Sequence, residues 1–240
     1  MLQINPFSFP KEVHVLEHLD RLVEIFNVCW PMYAAMPAIL KDAIERAYEK
    51  AGWDIEMSEN KYDDNLFPTF KDVYEQIREV LEESEYSADN KGDYTGALVT
   101  RLRSLTTGIN GLIFNADEIS MEELFDTNVI VDLSRIGSTE TKSLIMGLLV
   151  LKLQEYRMGV SEANQHLKHV TVLEEAHNLL KRTSSEQSSE SGNLLGKSVE
   201  MLANSIAEMR TYGEGFIIAD QSPGLLDLSL IHISEPTRPY

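Results

Sequence analysis

Apolar and polar positions along the first half of the chain follow the spacing of helices. Within 38–47 and again within 70–81, apolar side chains recur every three or four residues, which is the pattern of one buried helix face. Gly52 follows the first stripe as a C-terminal cap would. Thr69, with Asp72 three residues later, forms a capping-box pattern before the second stripe. The pattern therefore predicts helices with acidic outer faces, and a third helix is predicted over 94–105.

The pattern changes after Phe125, where short apolar runs rich in β-branched residues alternate with helical segments. The predicted strands are Asn128–Ser134, Val170–Glu175 and Gly215–Asp220. Predicted helices over 139–157, capped by Ser138, and over 199–209 separate them. Nearly continuous apolar strands joined by helices are typical of a parallel sheet covered on both faces. The fold class predicted for this half is α/β.

Composition favours a globular protein without free-standing affinity for nucleic acid. Of the 240 residues, 43% are hydrophobic, which suffices for a buried core. The 39 acidic and 21 basic residues give a net charge of −18, which repels a polyanion at long range. This charge is still compatible with a ring-shaped assembly that concentrates its few basic groups in a central pore. The longest apolar stretch, Leu144–Val150, is too short to span a membrane, so we expect a cytoplasmic protein with no membrane partner. The single cysteine, Cys29, lies beside Trp30 and predicts a buried, inert thiol.

Two adjacent carboxylates end the second predicted strand. Glu174 and Glu175 follow the apolar run 170–173 directly, and ligands of open parallel sheets collect at this carboxyl end. In phosphoryl transfer, one such carboxylate holds Mg²⁺, usually through water, and the next orients or deprotonates the attacking water. The alternative is that one or both carboxylates only cap the helix that follows.

Histidines close to these carboxylates allow a second class of protein, a zinc-dependent hydrolase. His166, His169 and His177 fall within twelve residues of sequence together with both carboxylates. The H-E-x-x-H arrangement needs two histidines one turn apart on one helix, whereas His169 and His177 flank a strand, so the spacing disfavours this class. A third class is a non-catalytic interaction module.

Three segments fall between Asn128 and Leu226, namely NVIVDLSRIGSTETKSLIMGLLVLKLQEYR, VTVLEEAHNLL and IAEMRTYGEGFIIADQSP. This region resembles the motor domain of the HerA-like bacterial and archaeal ATPases, relatives of FtsK. The earlier segments INPF, MPAILKDAIERAY and YTGALVTRLRSL resemble the helical insertion that these ATPases carry between their two nucleotide-binding motifs. The resemblance implies a partial RecA-like P-loop NTPase core with a parallel sheet, plus a mostly helical insertion.

The same resemblance implies roles for four side chains. Glu174 takes the position of the acid linked to Mg²⁺ and Glu175 that of the water-activating acid. Gln221 matches the polar sensor that touches the terminal phosphate of ATP. Arg210 resembles the arginine presented to a neighbouring subunit's nucleotide, a role suited to a permanently charged guanidinium. The alternatives are a helix-end cation at Arg210, a strand-end amide bonded to the backbone at Gln221, and a structural role for His177.

The phosphate-binding loop G-x-x-x-x-G-K-[ST], which the family places before the acidic strand, does not occur in the sequence. The nearest candidate, Gly192–Ser198, is one residue short between its glycines, follows a Ser-rich predicted loop over 183–191, and comes after the carboxylates. We interpret Met1 as an internal or arbitrary start, with a strand, the loop and its helix lost before Leu2. The chain as given is therefore expected to hydrolyse ATP poorly.

Three regions are expected from this interpretation. Residues 1–126 are the mostly helical insertion, 127–229 the C-terminal part of the ATPase core, and 230–240 an unrelated or disordered tail. By resemblance, the full-length protein uses ATP and Mg²⁺, acts on DNA as a translocase or helicase through an assembled homo-hexameric ring, and has a nuclease as a candidate partner.

Overall fold

The structure is a computed structural model that describes residues 1–180 and 191–226. The described residues form two units, one made of 1–23 and 33–131, and the other of 24–32 and the described residues from Asp132 onward. Most of the loop predicted over 183–191 and the whole of the predicted tail lie outside the described residues. Among those that are described, no helix is long and apolar enough to cross a membrane.

The first unit is mainly helical. Helix α1 (Val15–Cys29) starts in it and ends in the second unit, and a minimal antiparallel pair is formed by β1 (Trp53–Asp54) and β2 (Glu59–Asn60). The remaining helices are α2 (Met36–Lys50), α3 (Phe70–Glu83), α4 (Ala88–Tyr94), α5 (Thr100–Leu105), α6 (Gly108–Ile113) and α7 (Met121–Phe125).

Local sequence signals set the ends of α2 and α3 close to the predicted positions. At the start of α3, the Asp72 carboxylate accepts a hydrogen bond of 2.7 Å from the backbone N–H of Thr69, which completes the capping box. Beyond α2 the chain reverses at Gly52, whose φ of +103° suits glycine alone. The helix predicted over 94–105 forms in pieces, because a π-helical turn, Thr95–Val99, separates α4 from α5.

The second unit is a mixed α/β structure with a small parallel sheet, as predicted. Its elements are α8 (Thr139–Val160), β3 (His169–Glu174), α9 (Ser191–Met209) and β4 (Glu214–Ala219). β3 and β4 pair in parallel, with His169 opposite Glu214 and Glu174 opposite Ala219. Parallel strands need a crossover, which here includes α9. The predicted cap of α8 is confirmed, since the Ser138 hydroxyl accepts from the N–H of Thr141 at 3.3 Å.

The core of this unit lies between the helices and one face of the sheet. Helix α8 is buried along much of its length, and on α9 the predicted apolar stripe is buried at Val199, Leu202, Ile206 and Met209. The buried Arg157 of α8 reaches Glu214 at the start of β4. These contacts fix the sheet against the two helices.

Two predictions about the sheet were wrong. Asn128–Ser134 is not a strand, and Ile130 is 94% exposed, because in the described part of the chain this segment has no neighbouring strand to complete its hydrogen bonds. In the part of the chain that the structure describes, the sheet is also covered on one face only. Val170, Val172 and Ile217 lie on the face away from α8 and are 40%, 55% and 55% exposed, since side chains alternate between faces along each strand.

Candidate active site

Strand β3 delivers both candidate carboxylates to the carboxyl end of the sheet. Glu174 is its last residue, and the backbone N–H of Glu175 extends the ladder by donating to the carbonyl of Ala219 at 2.9 Å. Both residues are exposed. The apolar run ahead of them is held in the ladder by β4, so the two carboxylates face solvent at the sheet edge where ligands of parallel sheets bind.

Strand β4 delivers Gln221 to the same edge. Ala219, the last residue of β4, lies opposite Glu174, and Gln221 follows two residues later in a bend where it is exposed. The structure therefore brings Glu174, Glu175 and Gln221 to one end of the sheet. In the described part of the chain, none of these three side chains makes a hydrogen bond or ion pair, so all are available to a ligand.

Glu175 has a left-handed backbone conformation, with φ of 52° and ψ of 40°. This region is unfavourable for a residue with a Cβ, at a cost of about 1–2 kcal/mol. Its carbonyl accepts from the N–H of Asn178 at 3.0 Å and from the side-chain amide of Asn178 at 3.1 Å. Strained residues concentrate at functional sites, where surrounding contacts hold them in place.

A histidine–aspartate pair joins the two strand ends, and sequence reasoning did not find it. Asp220 accepts from the backbone N–H of His177 at 2.8 Å and from its Nδ1 at 2.8 Å, and also from the N–H of Ser222 at 2.7 Å. Burial by itself raises the pKa of Asp220, but these hydrogen bonds outweigh it and lower the pKa below the usual value. No local sequence signal marks the pair, because His177 lies three residues beyond the end of β3 and its partner Asp220 is 43 positions away.

Arg210 lies at the other end of the sheet. It begins a single 3-10 turn, Arg210–Tyr212, between α9 and β4, and Gly213 closes this turn with φ of +84°. The six residues of β4 separate it from Gln221, which is roughly 17 Å at the usual rise per residue. Arg210 is exposed, and its guanidinium makes no hydrogen bond or ion pair with another described residue. The structure does not bring it to the carboxylates of its own chain.

A buried cluster supports the sheet at this second end, and it too was missed. Glu214, whose side chain is fully buried, accepts from Nε of Arg157 at 3.1 Å, from Thr171 Oγ1 at 2.7 Å and from Nδ1 of His169 at 2.7 Å. These contacts tie α8, β3 and β4 together directly beyond the turn of Arg210. The glutamate is the first residue of a strand, and its partners are at least 43 residues away in sequence.

The geometry disfavours the two remaining candidate sites. His169 bonds to Glu214 at the start of β3 and His177 to Asp220 beyond its end, so these histidines cannot share a zinc ion. No group of three or more metal-ligating side chains occurs within residues 1–180 and 191–226. The whole of Gly192–Ser198 lies within α9, so it forms no loop, and the Ser198 hydroxyl donates to Glu24.

Parallel strands that end in adjacent carboxylates and a neighbouring amide, backed by helices, place the chain in the mixed α/β class to which P-loop ATPase cores belong. Among solved structures, the fold matches VirB4 of Thermoanaerobacter pseudethanolicus with a TM-score of 0.63 and 17% sequence identity. The match covers 96% of this chain and 57% of that one, so the chain spans little more than half the length of the protein it matches. No family model and no curated protein matches the sequence.

Proposed function

We propose that this chain supplies the hydrolytic half of an ATPase motor domain. The observation that carries the proposal is the parallel pairing of β3 and β4, which places Glu174, Glu175 and Gln221 at one sheet edge and Arg210 at the other. The VirB4-like fold supports an ATPase motor in general. The resemblance of the sequence to HerA-like ATPases supports the role given to each residue.

In this proposal Glu175 orients the attacking water and accepts its proton. The left-handed backbone at this residue turns the chain out of the ladder, and the two hydrogen bonds from Asn178 fix the turn. These bonds hold the backbone from which the Glu175 carboxylate projects, and a group whose backbone is fixed near the reacting atoms needs less rearrangement before phosphoryl transfer. Gln221, with its free amide, would contact the terminal phosphate from the adjacent strand end.

The side chains at this edge fit a magnesium–nucleotide complex. Mg²⁺ prefers oxygen ligands, keeps several of its waters, and in such sites takes one or two carboxylates together with phosphate oxygens. Glu174 offers an exposed carboxylate without a protein partner in the described region, so it can hold a hydrated ion through water. When bound, the ion neutralises charge that develops on the phosphate oxygens.

Arg210 would act on the nucleotide of a neighbouring subunit. Its distance from Glu174 and Gln221, roughly the length of a six-residue strand, prevents it from reaching its own site. In a head-to-tail ring the same edge of every subunit faces the next subunit's nucleotide. An exposed guanidinium at that edge completes each site only on assembly.

The finer features of the motor are proposed from the HerA resemblance. They are a homo-hexameric ring, DNA as the translocated polymer, a cytoplasmic location and a nuclease as partner. These features would be supported if double-stranded DNA stimulates ATP hydrolysis by the complete gene product, and if that product has the mass of six subunits in solution. They would be contradicted if the complete gene product is a monomer and its rate of ATP hydrolysis does not change when DNA is added.

The proposal is tested by ATP hydrolysis in the complete gene product, since the 240 residues contain no G-x-x-x-x-G-K-[ST] loop. We expect Glu175→Gln to lower kcat at least 100-fold while the affinity for ATP changes little, because the carboxylate acts on water and not on the nucleotide. Glu162→Gln, an exposed glutamate remote in sequence from both strand ends, is the matched control.

The competing class is a non-catalytic interaction module derived from such an ATPase. It predicts no magnesium-dependent hydrolysis by the complete gene product, and equal behaviour of Glu175→Gln and the Glu162→Gln control. Either result would contradict the proposed function.

A further inference from the structure

The two loops that carry Glu175 and Gln221 are not joined by any backbone hydrogen bond beyond the end of the sheet. The last such bond runs from the N–H of Glu175 to the carbonyl of Ala219. After it, one chain enters a short 3-10 turn, Ala176–Asn178, and the other bends at Gln221. The relative positions of these loops therefore depend on side chains.

The Asp220 carboxylate connects them. It takes two hydrogen bonds from His177, one from the backbone N–H and one from Nδ1, and a third from the N–H of Ser222 in its own loop. The side chain of Asp220 is only 2% exposed, so water does not compete strongly for these bonds. A carboxylate only accepts, so Nδ1 of His177 must carry the hydrogen, whether the ring is neutral or charged.

This contact lies two residues from Glu175 on one strand end and one residue from Gln221 on the other. The carbonyl of Glu175 is held by Asn178 in the same turn. The turn is thus fixed at both of its ends, by the ladder at Glu175 and by Asp220 at His177. A shift of either loop is transmitted to the other through a single buried carboxylate.

We propose that His177 is a positioning residue that, through Asp220, makes the loop of Glu175 and the loop of Gln221 move as one rigid body. The role rests on the proposed function, because it concerns the two side chains assigned to water and to the terminal phosphate. Through this coupling, displacement of the Gln221 loop on loss of the terminal phosphate displaces the Glu175 carboxylate as well.

Of the two ring nitrogens of His177, Nδ1 makes the hydrogen bond to Asp220 and Nε2 does not. Nε2 makes no hydrogen bond to any described residue, and 27% of the side chain is exposed. Asparagine places its side-chain NH₂ near the position of Nδ1, whereas alanine offers no donor. His177→Asn therefore keeps the side-chain hydrogen bond to Asp220 and His177→Ala removes it, while the bond from the backbone N–H of residue 177 is present in both variants.

The first measurement is amide hydrogen exchange on this 240-residue chain. His177→Ala is expected to raise exchange in both loops together, at the amides of residues 175–178 and of Ser222, and His177→Asn is expected to restore protection. His166→Ala, an exposed histidine near the other end of β3, is the control and should leave both loops unchanged. If His177→Ala raises exchange only in its own loop, or if the amide of Ser222 stays protected, the coupling is refuted.

The second measurement is ATP hydrolysis by the complete gene product carrying the same variants. A misplacement of about 1 Å costs on the order of 100-fold in rate, so His177→Ala should lower kcat by about this factor at unchanged KM, and His177→Asn should recover most of it. If His177→Asn is as inactive as His177→Ala while exchange is restored, Nε2 performs chemistry and the positioning role is wrong. Coupled exchange in a wild-type protein that hydrolyses no ATP would overturn the proposed function while the coupling itself stands.

Discussion

Glu214 offers the sharpest test of how the sheet is held, and we predict that Glu214→Gln strongly destabilises the second unit. Its carboxylate is fully buried and accepts from three donors, on Arg157, His169 and Thr171. Glutamine has the same shape, but one oxygen becomes an NH₂ group. At least one of the three donors then faces another donor, and the buried guanidinium of Arg157 loses the negative charge of Glu214.

The size of the effect follows from burial. Removing one partner of a buried ion pair costs about 3–5 kcal/mol, because the remaining charge stays out of water. The side chains of Glu214 and Arg157 are 0% and 7% exposed, so this range applies in full. The matched control is Glu79→Gln, since Glu79 pairs with Lys50 at 2.7 Å where both side chains are about half exposed. Loss of an exposed pair costs less than about 1 kcal/mol.

The assay is urea denaturation followed by tryptophan fluorescence. Trp30, buried in the second unit, reports on Glu214→Gln in a background where Trp53 is replaced by phenylalanine, and Trp53, buried in the first unit, reports on Glu79→Gln in a background where Trp30 is replaced. A double-mutant cycle with Arg157→Met isolates the interaction, and we expect a coupling free energy of at least about 2 kcal/mol between Arg157 and Glu214. A coupling near zero, or a Glu214→Gln variant as stable as Glu79→Gln, would show that the cluster does not hold the sheet.

Three further predictions concern packing, reactivity and pH. Gly147→Ala should lower the free energy of unfolding by about 1–3 kcal/mol in urea titrations, because its Cβ would lie 2.8 Å from a methyl of Ile25. Gly92→Ala is the control and should be neutral or stabilising, because no atom lies within 4 Å of the added Cβ. Burial, and then the negative charge of Glu140, raise the pKa of the Cys29 thiol, so a thiol reagent at pH 8 should modify it only after unfolding. The pKa of Asp220 is lowered in the folded chain, so its contribution to stability is present above the usual aspartate pKa and is lost as pH falls through the lowered pKa. The free energies of unfolding of wild type and Asp220→Asn, measured in acid titrations, should therefore differ above the usual aspartate pKa and converge below the lowered one.

The sequence predicted those features that depend on local periodicity and on strand ends. The bounds of α2, α3 and α8 followed from apolar spacing and caps, and the parallel strands from β-branched runs separated by helices. Placement of Glu174, Glu175 and Gln221 at one edge followed from the parallel pairing alone, since carboxyl ends of neighbouring parallel strands coincide.

Features that depend on contacts between distant residues could not be predicted. His177 and Asp220 are 43 positions apart, and so are Thr171 and Glu214, and no local pattern marks either pair. The segment 128–134 has the composition of a strand, yet a strand exists only where a neighbour completes its hydrogen bonds. The apolar face of Val172 and Ile217 was wrongly predicted to be covered, because the strand pattern does not show whether another element packs on that face.

The central claim is that each hydrolytic site combines the carboxylate edge of one subunit with Arg210 of the next. The direct test mixes two inactive variants of the complete gene product, Glu175→Gln and Arg210→Ala, after subunit exchange has been shown with labelled subunits. An arginine supplied in trans contributes on the order of 10³–10⁵ in rate, so each variant by itself should be nearly inactive. Mixed assemblies contain some sites with an intact Glu175 and a neighbour's intact Arg210, so ATP hydrolysis should reappear on mixing. If exchanged assemblies remain as inactive as either parent, Arg210 does not act across a subunit boundary and the account is contradicted.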